Sequence, residues 1–208
     1  MAPRKQATEL ERLKAGIATG DRRILQLKLS GADLREWDLS GLTLIDADLT
    51  GADLLQTNLF GSDLSRAALS GANLIRADLG NAILDGAQLV SAHMSWSRLL
   101  GASLLETNLL RADLSNADLR RARIEANLEG ANLSNATLVG ADLSRSFLWG
   151  ANLANANLCE CKLVGAKLRR ANLRGADLRG ADLTDADLTD AVLVGAKLDR
   201  SQQLDSAR

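Results

Sequence analysis

Few side chains here have the type and spacing to do chemistry. His93 is the single histidine, so it has no second imidazole with which to build a metal site or an acid–base pair. Cys159 and Cys161 flank one glutamate in a C-E-C arrangement that invites a metal or redox reading. Asp182, Asp185, Asp187 and Asp190 make an acidic run of the kind that binds calcium. No phosphate-binding loop, dinucleotide fingerprint or nucleophile elbow is present. Each candidate must be judged by where the chain places it.

The placing element is a five-residue unit, plainest in Arg169 to Asp190, RRANLRGADLRGADLTDADLTD. With a leucine at position i, Ala171, Ala176, Ala181 and Ala186 sit at i−2, and Leu173, Leu178, Leu183 and Leu188 sit at i. The frame has 35 centres from Leu29 to Leu198; 33 are Leu, with Met94 and Ile124 the exceptions, and 26 of the i−2 positions are Ala. A period of five matches neither a helix nor a strand. It requires a corner in every unit, and 14 of the 17 glycines occupy i+2, where a tight turn tolerates unusual dihedrals. Four corners close a square, so one coil takes 20 residues.

The charges test that length. Coils stacked ~4.8 Å apart set residue n beside residue n+20. Away from the frame break described below, ten opposite-charge pairs and one like pair have that spacing, with no comparable excess at one unit more or fewer. Lys28/Asp48, Asp46/Arg66, Asp142/Lys162 and Arg170/Asp190 are among the opposites, and Asp33/Asp53 is the like pair.

The ADLRGADLTDADL run resembles the pentapeptide-repeat family, and the resemblance covers about residues 27–200. It implies an all-β solenoid, a right-handed quadrilateral β-helix with Leu and Ala ladders inside, here about nine four-repeat coils.

The frame answers the catalytic candidates. His93 lies at i−1 and faces outward. Cys159 at i+1 points out and Cys161 at i−2 points in, so they diverge and no shared metal is expected. Lys162, Lys167 and Arg170 stand one coil from Asp182, Asp187 and Asp190, which reads as a solvated charge ladder. Twenty of the 35 i−1 positions are Asn or Asp, expected to stack as side-chain hydrogen bonds along the coils. No catalytic, cofactor-binding or metal residue is expected, and the protein reads as a non-enzyme.

Only 2% of the 208 residues are aromatic, so the ladders replace a conventional core. A net charge of −1 argues for neither an acidic mimic nor a basic nucleic-acid binder. No apolar run is long enough to span a membrane, and the start, MAPRKQATELERLK, has no signal-peptide apolar region. Two cysteines without such a signal point to free thiols, and a cytoplasmic location is expected.

Residues 1–26 read as a tail followed by a capping helix, 27–200 as the β-helix and 201–208 as a C-terminal tail. Residues 1–7 look like a frayed basic tail; Thr8 to Ala18 reads as the helix, with Thr8 and Glu11 at capping-box spacing and Leu10, Leu13 and Ile17 in one stripe. A cap over the coil end and a partner-binding helix are both open readings. Trp37 and Leu42 replace Ala at i−2, so the square widens there or the Trp swings to a corner. Near 125–126 the frame slips: Ile124 is followed by Leu128, with one i+2 residue missing. That is either a tolerated deletion or a bend that shapes a surface. DRSQQLDSAR after Leu198 holds no helical stripe, and Val192 and Val194 add outward apolar surface nearby. A homodimer through the C-terminal coil is expected.

Outward apolar side chains are the more informative exceptions. Phe147 and Trp149 flank Leu148 and project from one face, which Val90 and Leu110 share in earlier coils. On the next face Leu55, Ile75 and Trp96 are expected to form a second column. The expected function is a non-catalytic scaffold that presents a rod-like surface to an unidentified protein partner. The alternative is a DNA-mimic regulator of DNA gyrase, a role the resemblance implies for strongly acidic members with frequent Phe at the centre. Here no centre is Phe, and outward charges on the four faces come to +1, −1, 0 and −4, so direct nucleic-acid binding is not expected.

Overall fold

The computed structural model describes residues 3–24 and 26–199. The expected C-terminal tail, 201–208, lies outside the described residues.

Beyond one helix, the architecture is four ladders of parallel β-bridges, one per side of a square. The first steps Arg23, Thr43, Asp63, Ile83, Ser103, Arg123, and the others begin at Lys28, Asp33 and Asp38. Away from the frame slip each step is 20 residues, so the four-sided coil inferred from the charges is the coil observed. Two backbone bonds repeat in nearly every unit. The amide at i donates to a carbonyl of the next coil, as Leu29 does to Asp48 at 2.7 Å, and the amide at i−2 closes the corner on the previous leucine, as Ala32 does on Leu29 at 2.9 Å. The corner residue at i+2 takes a left-handed conformation. Glycine fills it freely; elsewhere Asn, Asp, Arg, Glu, Gln, Ser or, at position 96, Trp does so, with φ between 54° and 62°.

The Leu and Ala ladders fill the interior, from Leu27 and Leu29 to Leu173 and Leu178, nearly all fully buried. The six other small residues in alanine slots carry hydroxyls or a thiol, and every one finds a partner. Thr57 and Thr107 donate to the carbonyls of Leu34 and Leu84 one coil below, while Ser62 and Ser97 donate to Leu59 and Met94 in their own coil. Trp37 keeps its inward place: half-buried, it packs against the core, and its amide closes the corner on Leu34 at 3.2 Å. At the frame slip the ladder step shortens to 19, Arg123 to Asp142 and Asn108 to Asn127, then returns to 20. All four ladders continue through it.

Helix α1 spans Pro3–Thr19, so the helix expected from Thr8 begins five residues earlier. Proline at a first helical position gives up an amide that has no partner there and already has the right φ, whereas Thr8 falls inside the helix and does not cap it. The expected frayed tail is thus largely helical. Leu13 is fully buried in the core cluster and Leu10 packs against it, while Ile17 is exposed. Gly16 permits the close seat: a Cβ there would stand 2.5 Å from Ile24 Cδ1. No helix among the described residues is long and apolar enough to cross a membrane.

Candidate surface site

The ladders decide which outward side chains meet. Phe147 is bridged between Asn127 and Lys167 on the ladder that begins at Lys28. Two residues on, Trp149 stands between Glu129 and Arg169, because Gly130 N–H donates to Trp149 O and Gly150 N–H to Arg169 O, each at 2.9 Å. Phe147 is 53% exposed and Trp149 47%, so both rings stand largely in water. The next position along, the corner, is glycine in two successive coils: Gly130 at φ 63° and Gly150 at φ 62°. With no side chain there, a concavity of about 400 Å³ opens, lined by Glu129, Trp149, Gly150, Arg169 and Arg170. Arg170 reaches Asp190 at 3.8 Å, both largely exposed. Asp187 turns instead to Thr189, accepting from its amide at 3.1 Å and its hydroxyl at 2.6 Å. Those bonds first, then the charges of Arg169 and Lys167, hold its carboxyl below the usual range.

Val90 and Leu110 lie in the Trp149 column in earlier coils and are half-buried. The second expected column divides. Leu55 and Ile75 share one column, but Ser95 continues it, since Arg76 N–H donates to Ser95 O. Trp96 occupies the neighbouring corner, above Arg76, at φ 62° and 59% exposed. Val192 is half-buried on its ladder and Val194 is 64% exposed.

Sequence reasoning missed a third apolar strip. Phe60 and Leu100 are exposed two coils apart with Gly80 between them, and the Phe60 ring lies over that glycine: a Cβ at 80 would be 2.9 Å from Phe60 Cδ2. The signal was present, as Gly80 sits at i+1 in a frame that otherwise keeps its glycines at i+2.

The catalytic candidates scatter. His93 is an exposed ladder residue between Asn73 and Asp113. Cys161 is buried, its thiol donating to Leu138 O at 2.8 Å, and Cys159 is half-buried outside; both are free thiols. Burial pushes the Cys161 thiol up to about 12. No group of His, Cys, Asp or Glu among the described residues could hold a metal ion. Asp182 is bonded to Thr184 rather than paired with Lys162, which reaches Asp142 at 3.8 Å. A second concavity, about 360 Å³ beside the frame slip, is lined by Arg123, Arg145 and Lys162 along with Glu125 and Asp142, its charges largely matched.

The family model for pentapeptide repeats matches eight copies in overlapping stretches, beginning with 28–66 and 62–99 and ending with 166–201. No curated protein matches the chain. Among solved structures, the chain is 33% identical to HetL, a pentapeptide repeat protein involved in heterocyst differentiation regulation from the cyanobacterium Nostoc. That match covers 88% of this chain and 94% of HetL, with a TM-score of 0.44. QnrB1, a plasmid-mediated fluoroquinolone resistance protein, is 26% identical over 88% of this chain and 96% of its own, with a TM-score of 0.53. A pentapeptide repeat protein from the Arabidopsis thaliana thylakoid lumen is 39% identical over 49% of this chain and 68% of its own, with a TM-score of 0.34.

Proposed function

Because the chain belongs to the pentapeptide-repeat family, we propose that it is a non-catalytic scaffold whose right-handed rod of about nine coils presents a rigid surface to a protein partner in the cytoplasm. The observation that carries this reading is the exposed Phe147–Trp149 pair, two aromatic side chains side by side on one face of a protein with five in all. Exposed aromatics in a defined patch are what protein interfaces use as anchors. Val90 and Leu110 extend that patch. A homodimer through the C-terminal coil, by way of Val192 and Val194, belongs to the same proposal.

The likeness to QnrB1 favours a second reading, regulation of a DNA gyrase. Against it stand the absence of any Phe among the 35 centres and faces without a continuous row of negative charge. Gyrase supercoiling, with and without ciprofloxacin, separates the two: the scaffold reading expects little effect as protein is raised. Inhibition or drug protection at low micromolar protein would promote the second reading. Affinity capture by the parent and by a Phe147→Ser/Trp149→Ser variant completes the test. The scaffold reading expects a captured protein to be lost from the variant while both proteins melt alike.

A further inference from the structure

We infer that the groove beside Trp149 takes an acidic segment of a partner protein, anchored by one apolar side chain. This deepens the scaffold reading and rests on it.

The groove has a physical cause. Two coils in succession leave the corner bare at Gly130 and Gly150, while the coils on either side fill it with Arg111 and Arg170. The indole of Trp149 forms one wall, and nothing lies within 4 Å of where a Gly150 Cβ would be. An apolar side chain fits on that floor against the ring.

Charge then selects what accompanies the anchor. Around the bare corner the cations Arg111, Lys167, Arg169 and Arg170 outnumber the carboxylates Glu129, Asp187 and Asp190, of which Glu129 alone lines the groove beside Arg169 and Arg170, on a chain whose net charge is −1. Arg169 has no ion pair within 4 Å among the described residues, and the Arg170–Asp190 contact is long and solvent-exposed, so it yields readily to a better-placed carboxylate. Arginine forks also match carboxylates two bonds at a time. Glu129, Trp149 and Arg169 succeed one another up one column, ~4.8 Å per step. An extended segment lying along the rod shows side chains on one side every ~6.8 Å. Its apolar anchor over Trp149 therefore sets an acidic residue two positions further on at Arg169 and Arg170.

The test uses the full chain and fluorescence anisotropy of labelled synthetic peptides. Ser-Phe-Ser-Glu-Ser-Glu is the probe; its counterpart with both glutamates changed to lysine and a short oligothymidylate are the comparisons. The acidic peptide should bind roughly tenfold or more tightly than the lysine peptide, and added salt should weaken it. Arg169→Ser/Arg170→Ser should lose a similar factor. Gly150→Asn fills the groove without breaking the corner, because Asn135 and Asn155 hold the same conformation at φ 58°; it should abolish binding with its melting temperature nearly intact. Equal binding of the acidic and lysine peptides, or parent-like binding by Gly150→Asn, overturns the inference. Tighter binding of the oligothymidylate would show a stacking surface for single-stranded nucleic acid in its place. Should the peptide test fail while the Phe147/Trp149 variant still loses a captured partner, the scaffold reading survives and only the partner's chemistry falls. If neither responds, the scaffold reading falls with it.

Discussion

The hydroxyl of Ser146 donates to the carbonyl oxygen of Ile124, one coil below, at 2.6 Å. It also accepts from the amide of Ala126 at 3.3 Å. In nearly every other unit the corner is closed by the chain itself, the amide at i−2 donating to the carbonyl of the preceding centre three residues back. At the frame slip only Glu125 separates Ile124 from Ala126, because the left-handed corner residue is the one missing. The turn bond cannot form over so short a span, and Ser146 joins the donor and acceptor that it would have joined. A polar residue in an alanine slot is thus the repair that lets a 19-residue coil stack between 20-residue neighbours.

Ser146→Ala should therefore cost more than the same change elsewhere in the ladder. It leaves the buried Ala126 amide unsatisfied, a penalty of about 1–3 kcal/mol. Ser97→Ala only removes a second donor from Met94 O, whose amide bond from Ser97 remains, so it should cost about 0.5–1.5 kcal/mol at most. Chemical denaturation of both variants checks the order; equal midpoints would mean that the slip needs no repair.

Leu114→Asp tests the inward assignment of the central position. Leu114 is fully buried, and an unpaired carboxylate there must either ionise in an apolar ladder or be held neutral far above its normal range. Either way the cost reaches several kcal/mol, enough to collapse the rod. Thermal unfolding like that of the parent would refute the assignment.

The interior was legible because its rule is strict: within a unit, a shift of one residue would turn the leucine outward. The corners were legible from the glycines. Charge pairing was legible only in part, and the reason is local. An Asp at i−1 accepts from the amide at i+1, as Asp33 does from Arg35 at 3.2 Å and Asp118 from Arg120 at 3.2 Å, which swings its carboxylate along its own unit. When i+1 is arginine, that residue wins: Asp33–Arg35 and Asp177–Arg179 pair at 2.6 Å. Where i+1 cannot compete, the pairing expected one coil away appears, as in Asp46–Arg66 at 2.7 Å, from a corner. Trp149 was legible as outward, but its groove was not, since it depends on Gly130 and Gly150 stacking.

The two thiols should separate by reactivity and by pH. The thiolate is the reactive form, and burial raises the Cys161 thiol from 9.0 to about 12. A colorimetric thiol reagent at mildly alkaline pH should therefore label Cys159 in the folded protein and Cys161 only after unfolding. The folded state holds the Cys161 proton that the unfolded chain releases near 9.0. Its contribution to stability is accordingly complete below that pH and is lost as pH climbs toward about 12. Cys161→Ala should flatten that alkaline decline; an unchanged slope would locate it in other groups.

Association should be governed by the last described coil. Its ladder is the least protected: Leu183, Leu188, Leu193 and Leu198 are partly exposed, whereas their counterparts below, such as Leu163, Leu168, Leu173 and Leu178, are buried. Val192 and Val194 place apolar groups beside this rim. Apolar ladder ends favour pairing with another edge, and a two-fold contact would cover the rim and both valines at once. At the opposite end Leu13 of α1 already lies on the ladder, which leaves closed dimers preferred over filaments. Light scattering across a dilution series should show a dimer mass, and Val192→Glu with Val194→Glu should shift it to the monomer while leaving the coil signal in circular dichroism unchanged. A monomer at high micromolar concentration in the parent protein would show that this rim is covered from within the same molecule.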